Sequence, residues 1–277
     1  MMVNKNTESG EQFYRRLPEF AEMRHQELTR MLQPVLDLAA SYGSLVSRSV
    51  AALGSVPPQG RSDVVVRDLI ADVFDFLYEW PRPLFEGRVH VAFPLARRAY
   101  ESLSLLSVCF QDRSIAERWD RGEQIRNAEI RRALANLPLP ESEQEMRELY
   151  RFFSQGSHPN RDLVPERFLG DSNRFVLGSI IHPELVVIVD HCRHLVDMWF
   201  WVGALAGYAA KEILVQSDPS FPNDYFPTAQ RAAEVKKWLN KVFNELLEKR
   251  QGELRDGRRS LSDAEQKNPA DAKERRG

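Results

Sequence analysis

Apolar residues return every three or four positions along most of the chain, which is the period of an amphipathic α-helix. Seven helical segments follow from this pattern, and little room is left for a sheet. The long stripe of the first segment contains Leu28, Leu32, Val35, Ala39, Tyr42 and Val46. The sequence therefore predicts an all-α fold.

Prolines and capping residues divide this pattern into separate helices. Pro34 predicts a kink or a split in the first helix, and Pro81 ends the second. A fourth helix is expected over residues 114–137, a long sixth helix over 183–215 and a last helix over 228–254. The sixth helix is apolar on two faces, which is typical of the central helix of a bundle.

These helices predict a four-part organisation of the chain. A helical bundle of about four core helices is expected over residues 61–216, with an N-terminal helical arm over 1–60 and a C-terminal helix over 217–255. Few apolar residues follow, so 256–277 is expected to be a disordered tail. The arm is expected to pack on the bundle or on a partner, and it is our candidate for mediating oligomerisation.

Composition narrows the class of protein without naming its activity. The net charge of -2 gives no strong overall field for nucleic acid or membranes, so RNA binding would need a local basic patch. The two cysteines, Cys109 and Cys192, lie at apolar helical positions and indicate buried thiols in a reducing compartment. We find no signal peptide and no apolar run long enough to span a membrane, so a cytoplasmic protein is expected. No Walker, GxGxxG, GxSxG or zinc-spacing motif appears, so no bound cofactor is expected.

One short segment carries residue types that suit phosphodiester chemistry. Arg151 and Ser154 are one turn apart on the fifth helix, which should stop at Gly156, and His158 follows immediately. An arginine offers a permanent planar charge to a phosphate, and a histidine can move a proton near neutral pH. RNA supplies its own nucleophile through the 2′-hydroxyl, so these groups could cleave it without a metal. Arg151, His158 and Ser154 are therefore the candidate catalytic residues.

An arginine and a histidine separated by six residues, late in a helical bundle, resemble the motif of the HEPN superfamily (higher eukaryotes and prokaryotes nucleotide-binding). The resemblance implies a homodimer that binds or cleaves RNA without metal, of the kind found in bacterial toxin and defence systems. It also implies that Arg151 binds phosphate and that His158 assists cleavage. The chain differs from the usual nuclease motif in having Phe152 after the arginine and Pro159 after the histidine.

A wider stretch, residues 89–215, also resembles an uncharacterised bacterial all-α family. The resemblance is carried by Arg97, Arg98, Tyr100, Glu101, Tyr150, Ser154, His158 and Pro159. Arg97 and Glu101 are four residues apart and are expected to pair on one helix. Arg126 is expected inside an apolar stripe, where it would need a buried acceptor such as Glu101. Arg97, Arg126 and Asn160 are candidate phosphate- or ligand-binding residues.

Two other interpretations stay open. In the first, Arg151 pairs with Glu148 or Glu145 and His158 caps the helix, so that the chain is a non-catalytic helical interaction or regulatory module whose partner the sequence does not identify. In the second, His191 and His194 with neighbouring carboxylates form a metal site in the bundle. The Glu-x-x-His motif of bundle metal sites is missing from the sequence, which argues against the second.

Overall fold

The computed structural model describes residues 10–135, 143–157 and 185–267. Every regular element in these ranges is a helix, which confirms the all-α prediction. The elements are α1 (Gly10–Met31), α2 (Gln33–Gly54), α3 (Arg61–Glu79), α4 (Pro81–Phe85), α5 (Val89–Gln111), α6 (Arg113–Asp120), α7 (Asn127–Leu134), α8 (Glu143–Ser157), α9 (Leu185–Ala209), α10 (Lys211–Ser217) and α11 (Phe221–Lys267). Residues 158–184, with the candidates His158 and Asn160, lie outside the described residues.

Two helices, α5 and α9, occupy the centre of the bundle. Helix α5 packs against α3, α4, α6, α7, α8 and α9, and α9 packs against α2, α3, α5 and α11. Both are buried on more than one face, as the two apolar stripes of α9 predicted. Because α5 touches so many helices, it brings residues from distant parts of the chain together.

The segment predicted as an N-terminal arm packs on the bundle. Its second helix, α2, lies along α9 and buries Leu38, Tyr42 and Val46 in the same hydrophobic core. The close approach depends on Gly203 of α9, where an added Cβ would come within 2.6 Å of the Tyr42 ring. A larger residue at 203 would therefore push the two helices apart.

An arginine fastens α2 to the far end of the chain. Arg48 Nε donates to Asp218 Oδ2 at 2.7 Å, and its Nη1 donates to Asp224 Oδ2 at 2.6 Å. Its Nη2 also donates to Ser220 Oγ at 3.2 Å. The guanidinium thus ties α2 to the turn between α10 and α11.

Prolines mark helix boundaries more often than kinks. The first helix is split between Met31 and Gln33, as Pro34 predicted, and this proline lies in the first turn of α2. The second ends at Glu79, before Pro81. Pro81 then opens the short helix α4, which the sequence did not predict.

The prediction of one helix over residues 114–137 is wrong, because the chain breaks at 121–126. Gly122 adopts a φ of 77° and ends α6, with the amide of Glu123 bonded to the carbonyl of Arg118 at 3.0 Å. This left-handed glycine cap stops a helix efficiently. Arg126 consequently precedes α7 as its exposed N-cap residue and does not lie in a buried stripe, so that prediction is also wrong.

The C-terminal part also departs from the predicted boundaries. The sixth helix ends at Ala209, and α10 follows from Lys211 to Ser217. Helix α11 begins at Phe221, before the predicted start at residue 228, and runs to Lys267, beyond the predicted end at residue 254. The predicted disorder of the tail over 256–277 stays a prediction.

Candidate functional site

Helix α8 carries the predicted Arg151 segment. Arg151 is exposed, and among the described residues it forms no ion pair. Glu148, its suggested partner, accepts a hydrogen bond from Gln144 at 2.6 Å, while the side chain of Glu145 lies outside the described residues. The guanidinium of Arg151 is therefore open to solvent.

Two phenylalanines, Phe152 and Phe153, hold α8 against the bundle. Phe153 is completely buried, and Phe152 packs at 5.2 Å, between ring centroids, against Phe93 of α5. The Ser154 hydroxyl is buried, and no partner for it is found in the described part of the chain. Arg151 and Ser154 share a helix face, but Arg151 is exposed whereas the hydroxyl of Ser154 is buried. Whether His158 completes the arrangement is not tested, because it lies outside the described residues.

Tyr150, immediately before Arg151, is the centre of a hydrogen-bonded cluster that joins α5, α7 and α8. Arg97 Nη2 donates to the Tyr150 hydroxyl at 3.1 Å, and Asn127 Nδ2 donates to the same oxygen at 2.9 Å. Glu101 Oε1 accepts from Arg97 Nε at 2.9 Å and from Asn127 at 3.4 Å. The predicted pair of Arg97 and Glu101 is confirmed.

A second arginine, Arg131 of α7, completes this cluster. Its guanidinium carbon lies 5.3 Å from the centroid of the Tyr150 ring, and that of Arg97 lies 5.5 Å from the same centroid. The Nε and Nη1 atoms of Arg131 are buried and lack a hydrogen-bond partner among the described residues. We call Arg97, Glu101, Asn127, Arg131 and Tyr150 the Tyr150 cluster.

The charge on Arg97 is maintained in spite of its partial burial. Burial opposes the charged form, but the hydrogen bond and the negative charge of Glu101, with a smaller contribution from Tyr150, raise the Arg97 pKa above its ordinary value. Arg97 is thus a fixed cation beside Tyr150.

A polar cavity of about 460 Å³ lies next to the Tyr150 cluster and shares Glu101 and Asn127 with it. Arg98, Arg126 and Trp119 are among the residues that line it. The structure therefore brings the candidates Arg97 and Arg126 to neighbouring positions. However, Glu101 bonds to Arg97 and Asn127 rather than forming the predicted buried pair with Arg126.

The two histidines of α9 lie against α8, but they are packed among aromatic rings. His191 is fully buried, accepts a hydrogen bond at Nδ1 from Trp80 Nε1 at 3.3 Å, and lies 4.5 Å from Phe93 between ring centroids. Burial lowers the His191 pKa to about 3, so this imidazole is neutral at physiological pH. Burial also lowers the pKa of His194, against the opposing charges of Asp190 and Asp197.

The metal interpretation finds no support in the described part of the chain. No group of three or more His, Cys, Asp or Glu residues there could hold a metal ion. Among the same residues, none of the helices combines the length and the apolarity that a membrane-spanning segment requires. Both cysteines are buried and free, as predicted.

Sequence reasoning missed Asn127 and Arg131. Both lie in α7, whose start was hidden by the assumption of one continuous helix over 114–137. The sequence did carry a signal for the helix end: Gly122 follows Arg121, and a glycine after a basic residue is typical of a helix C-terminus.

Comparison with known proteins adds no assignment: no protein-family model, curated protein or solved structure matches this chain.

Proposed function

We propose that this chain is a HEPN-like RNA-binding protein, and that the arginines around Tyr150 contact the RNA backbone. The observation that carries this proposal is the pair of guanidinium groups of Arg97 and Arg131, which both lie over the Tyr150 ring, with the exposed Arg151 next along α8. Arginine side chains without internal acceptors suit phosphate oxygens, which accept two parallel N–H bonds.

The surrounding charges support a local basic patch on a chain of net charge -2. Arg147 and Arg151 are both exposed, and their spacing of four residues places them on one face of α8 next to Tyr150. Glu101 is the acidic member of the Tyr150 cluster, and its carboxylate already bonds to Arg97. The patch therefore has an excess of positive charge where a phosphate backbone would lie.

The polar cavity beside the patch suits a single-stranded rather than a double-stranded RNA. An unstacked base could lie against Trp119 while the amide of Asn127 and the guanidinium of Arg126 reach its polar edge. A paired base in a duplex is not free to enter such a cavity.

Cleavage is the more specific form of the proposal. Arg151 would hold the phosphate, and His158 would take the 2′-hydroxyl proton as that oxygen attacks phosphorus. The bond from phosphorus to the 5′-oxygen then breaks and this oxygen takes up a proton from water, which leaves a 2′,3′-cyclic phosphate and a 5′-hydroxyl, while the imidazolium of His158 releases its proton to solvent. Ser154, with its buried hydroxyl, would position α8 rather than touch RNA. The resemblance to the HEPN superfamily implies a homodimer in the cytoplasm, so two such sites would act together.

Binding is tested by fluorescence anisotropy of labelled single-stranded RNA with wild type, Arg131→Gln and Arg151→Gln. Each substitution should weaken binding roughly tenfold, the effect of losing about 1.4 kcal/mol from a charged hydrogen bond. Arg231→Gln is the matched control, since Arg231 is an exposed arginine on α11 that pairs with Asp37. A wild type that binds no RNA at low salt, or variants indistinguishable from Arg231→Gln, would contradict the proposal.

Cleavage is tested in the presence of EDTA. Wild type should cut RNA to a cyclic phosphate product, and Arg151→Ala and His158→Ala should abolish the reaction while RNA with 2′-deoxy sugars stays intact. If folded wild type binds RNA without cutting it, the binding proposal stands and the ribonuclease proposal fails.

A second candidate function is a non-catalytic helical interaction module. The observation in its favour is that Arg97, Asn127, Glu101 and Tyr150 satisfy one another across three helices, which a purely structural cluster would also do. Under this alternative, Arg131→Gln and Arg151→Gln change stability or partner binding but leave RNA affinity unaltered.

A further inference from the structure

A second cavity lies where α9, α10 and the beginning of α11 meet. Its volume is about 500 Å³, and none of its lining residues belongs to the Tyr150 cluster or to the polar cavity beside it. Small-molecule pockets commonly enclose about 300–1,000 Å³ and are mostly apolar. The cavity is therefore of a size suited to a small ligand.

Aromatic and aliphatic side chains form most of its wall. Phe221 and Tyr225 stack one turn apart on α11, with ring centroids 6.1 Å apart, and Phe226 meets Tyr225 edge-on at 5.8 Å. Gly207 of α9 leaves room for Phe221, whose ring would lie 3.4 Å from an added Cβ. Tyr208 and Phe226 are 70% and 65% exposed at the rim. Such a wall favours an apolar ligand body.

The charged side chain that lines this cavity, that of Lys211, is positive. Lys211 lines it and, in the described part of the chain, forms neither an ion pair nor a hydrogen bond. Tyr225 also lines it, and burial raises the pKa of this phenol, so its hydroxyl stays protonated and can donate. No acidic side chain contributes to the lining. An ammonium and a phenol beside apolar walls complement an anionic headgroup on an apolar body.

We propose that this cavity binds a small amphipathic carboxylate of the medium-chain fatty acid class. The alkyl chain lies between Phe221, Tyr225 and Leu214, and the carboxylate accepts hydrogen bonds from Lys211 and the Tyr225 hydroxyl. This site goes beyond the RNA proposal and is independent of it, because it uses a different end of the bundle and a different ligand.

Isothermal titration calorimetry with decanoate tests the proposal on the full chain. Decanoate should bind one per chain, and octanoate should bind more weakly by roughly fourfold for each methylene that is removed. Decylammonium, which has the same chain and the opposite charge, should not bind.

Two substitutions locate the binding site. Lys211→Met removes the charge, keeps an unbranched side chain only one atom shorter, and should weaken decanoate binding at least tenfold. Ala204→Leu should fill the cavity and abolish binding. Lys237→Met is the matched control, because Lys237 is an exposed lysine roughly 16 Å further along α11 than Phe226. Thermal unfolding of each variant checks that it is folded.

Three results would overturn the proposal. These are no heat of binding for decanoate, equal binding of decanoate and decylammonium, or equal effects of Lys211→Met and Lys237→Met. The alternative occupant of this face is a second copy of the chain. In that case the chain forms a dimer that Tyr208→Glu weakens and that decanoate does not affect, and this result would also overturn the proposal.

Discussion

At the scale of single residues, the Tyr150 hydroxyl links three helices, although Tyr150 is only half-buried. It accepts hydrogen bonds from Arg97 and Asn127, which belong to two other helices. The sequence indicated the residue types, since Arg97, Glu101 and Tyr150 all lay in the segments that resemble a helical family. It could not indicate that they meet, because contacts between residues 53 positions apart depend on helix packing.

Tyr150→Phe removes this acceptor and leaves the ring in place. Two donors lose a partner, so we expect the free energy of unfolding to fall by about 1–3 kcal/mol in urea denaturation. Tyr78→Phe is the control, since Tyr78 is 69% exposed on α3 and should change stability by less than about 0.5 kcal/mol. Equal stability of both variants would mean that the cluster contributes nothing to holding α5, α7 and α8 together.

His191 predicts a pH dependence of stability. Its pKa is about 3 in the folded protein and near 6.5 when exposed, so the unfolded chain binds the extra proton between these values. The neutral imidazole makes its full contribution to the free energy of unfolding above pH 6.5. This contribution is lost as the pH falls towards 3, by up to about 1.4 kcal/mol per pH unit.

Urea denaturation of wild type and His191→Leu across this pH range measures the contribution. The variant cannot bind the proton, so its stability should fall less steeply below pH 6.5, even if losing the acceptor for Trp80 costs about 1 kcal/mol at neutral pH. Parallel pH profiles of the two proteins would contradict the buried, neutral state of His191.

At the scale of helices, sequence periodicity located the apolar faces better than the helix ends. Most of the apolar stripe predicted for the first helix is buried, and α9 is buried on more than one face as predicted, because a helix face is set by local spacing. The break between α6 and α7 was missed, because the apolar pattern continues across Gly122 and only a positive φ stops the helix. That missed break also misplaced Arg126 and hid Arg131.

The packing of α2 on α9 gives a prediction about Gly203. Gly203→Ala would bring a Cβ to 2.6 Å and 2.9 Å from two atoms of the buried Tyr42 ring. The steric clash should destabilise the fold by about 1–3 kcal/mol, which outweighs a gain of up to about 1 kcal/mol from the higher helix propensity of alanine. Thermal unfolding should therefore shift to lower temperature.

Gly43→Ala on α2 is the matched helix substitution. Its added Cβ would meet Phe74 at an ordinary 3.7 Å, so only the propensity gain should appear and the melting temperature should rise. If Gly203→Ala is stabilised as much as Gly43→Ala, the two helices are not in tight contact at that point.

At the scale of the whole molecule, an almost neutral chain gathers basic groups in one region. Arg97 comes from α5, Arg131 from α7, and Arg147 and Arg151 from α8, and these helices pack on one another. The all-α class and the position of the central helix could be read from the sequence. The clustering of the arginines could not be read from the sequence. It depends on how three helices pack on one another, and no local sequence pattern specifies that packing.

The measurement that tests the central claim most directly is the salt dependence of RNA affinity. Plots of log Kobs against log salt concentration, for single-stranded RNA between about 50 and 200 mM salt, report the number of phosphates neutralised. We expect a negative slope for wild type that becomes shallower by about 0.7 in Arg131→Gln and again in Arg151→Gln, with Arg231→Gln unchanged. A flat wild-type plot, or slopes that are the same in all four proteins, would contradict an RNA-binding surface around Tyr150.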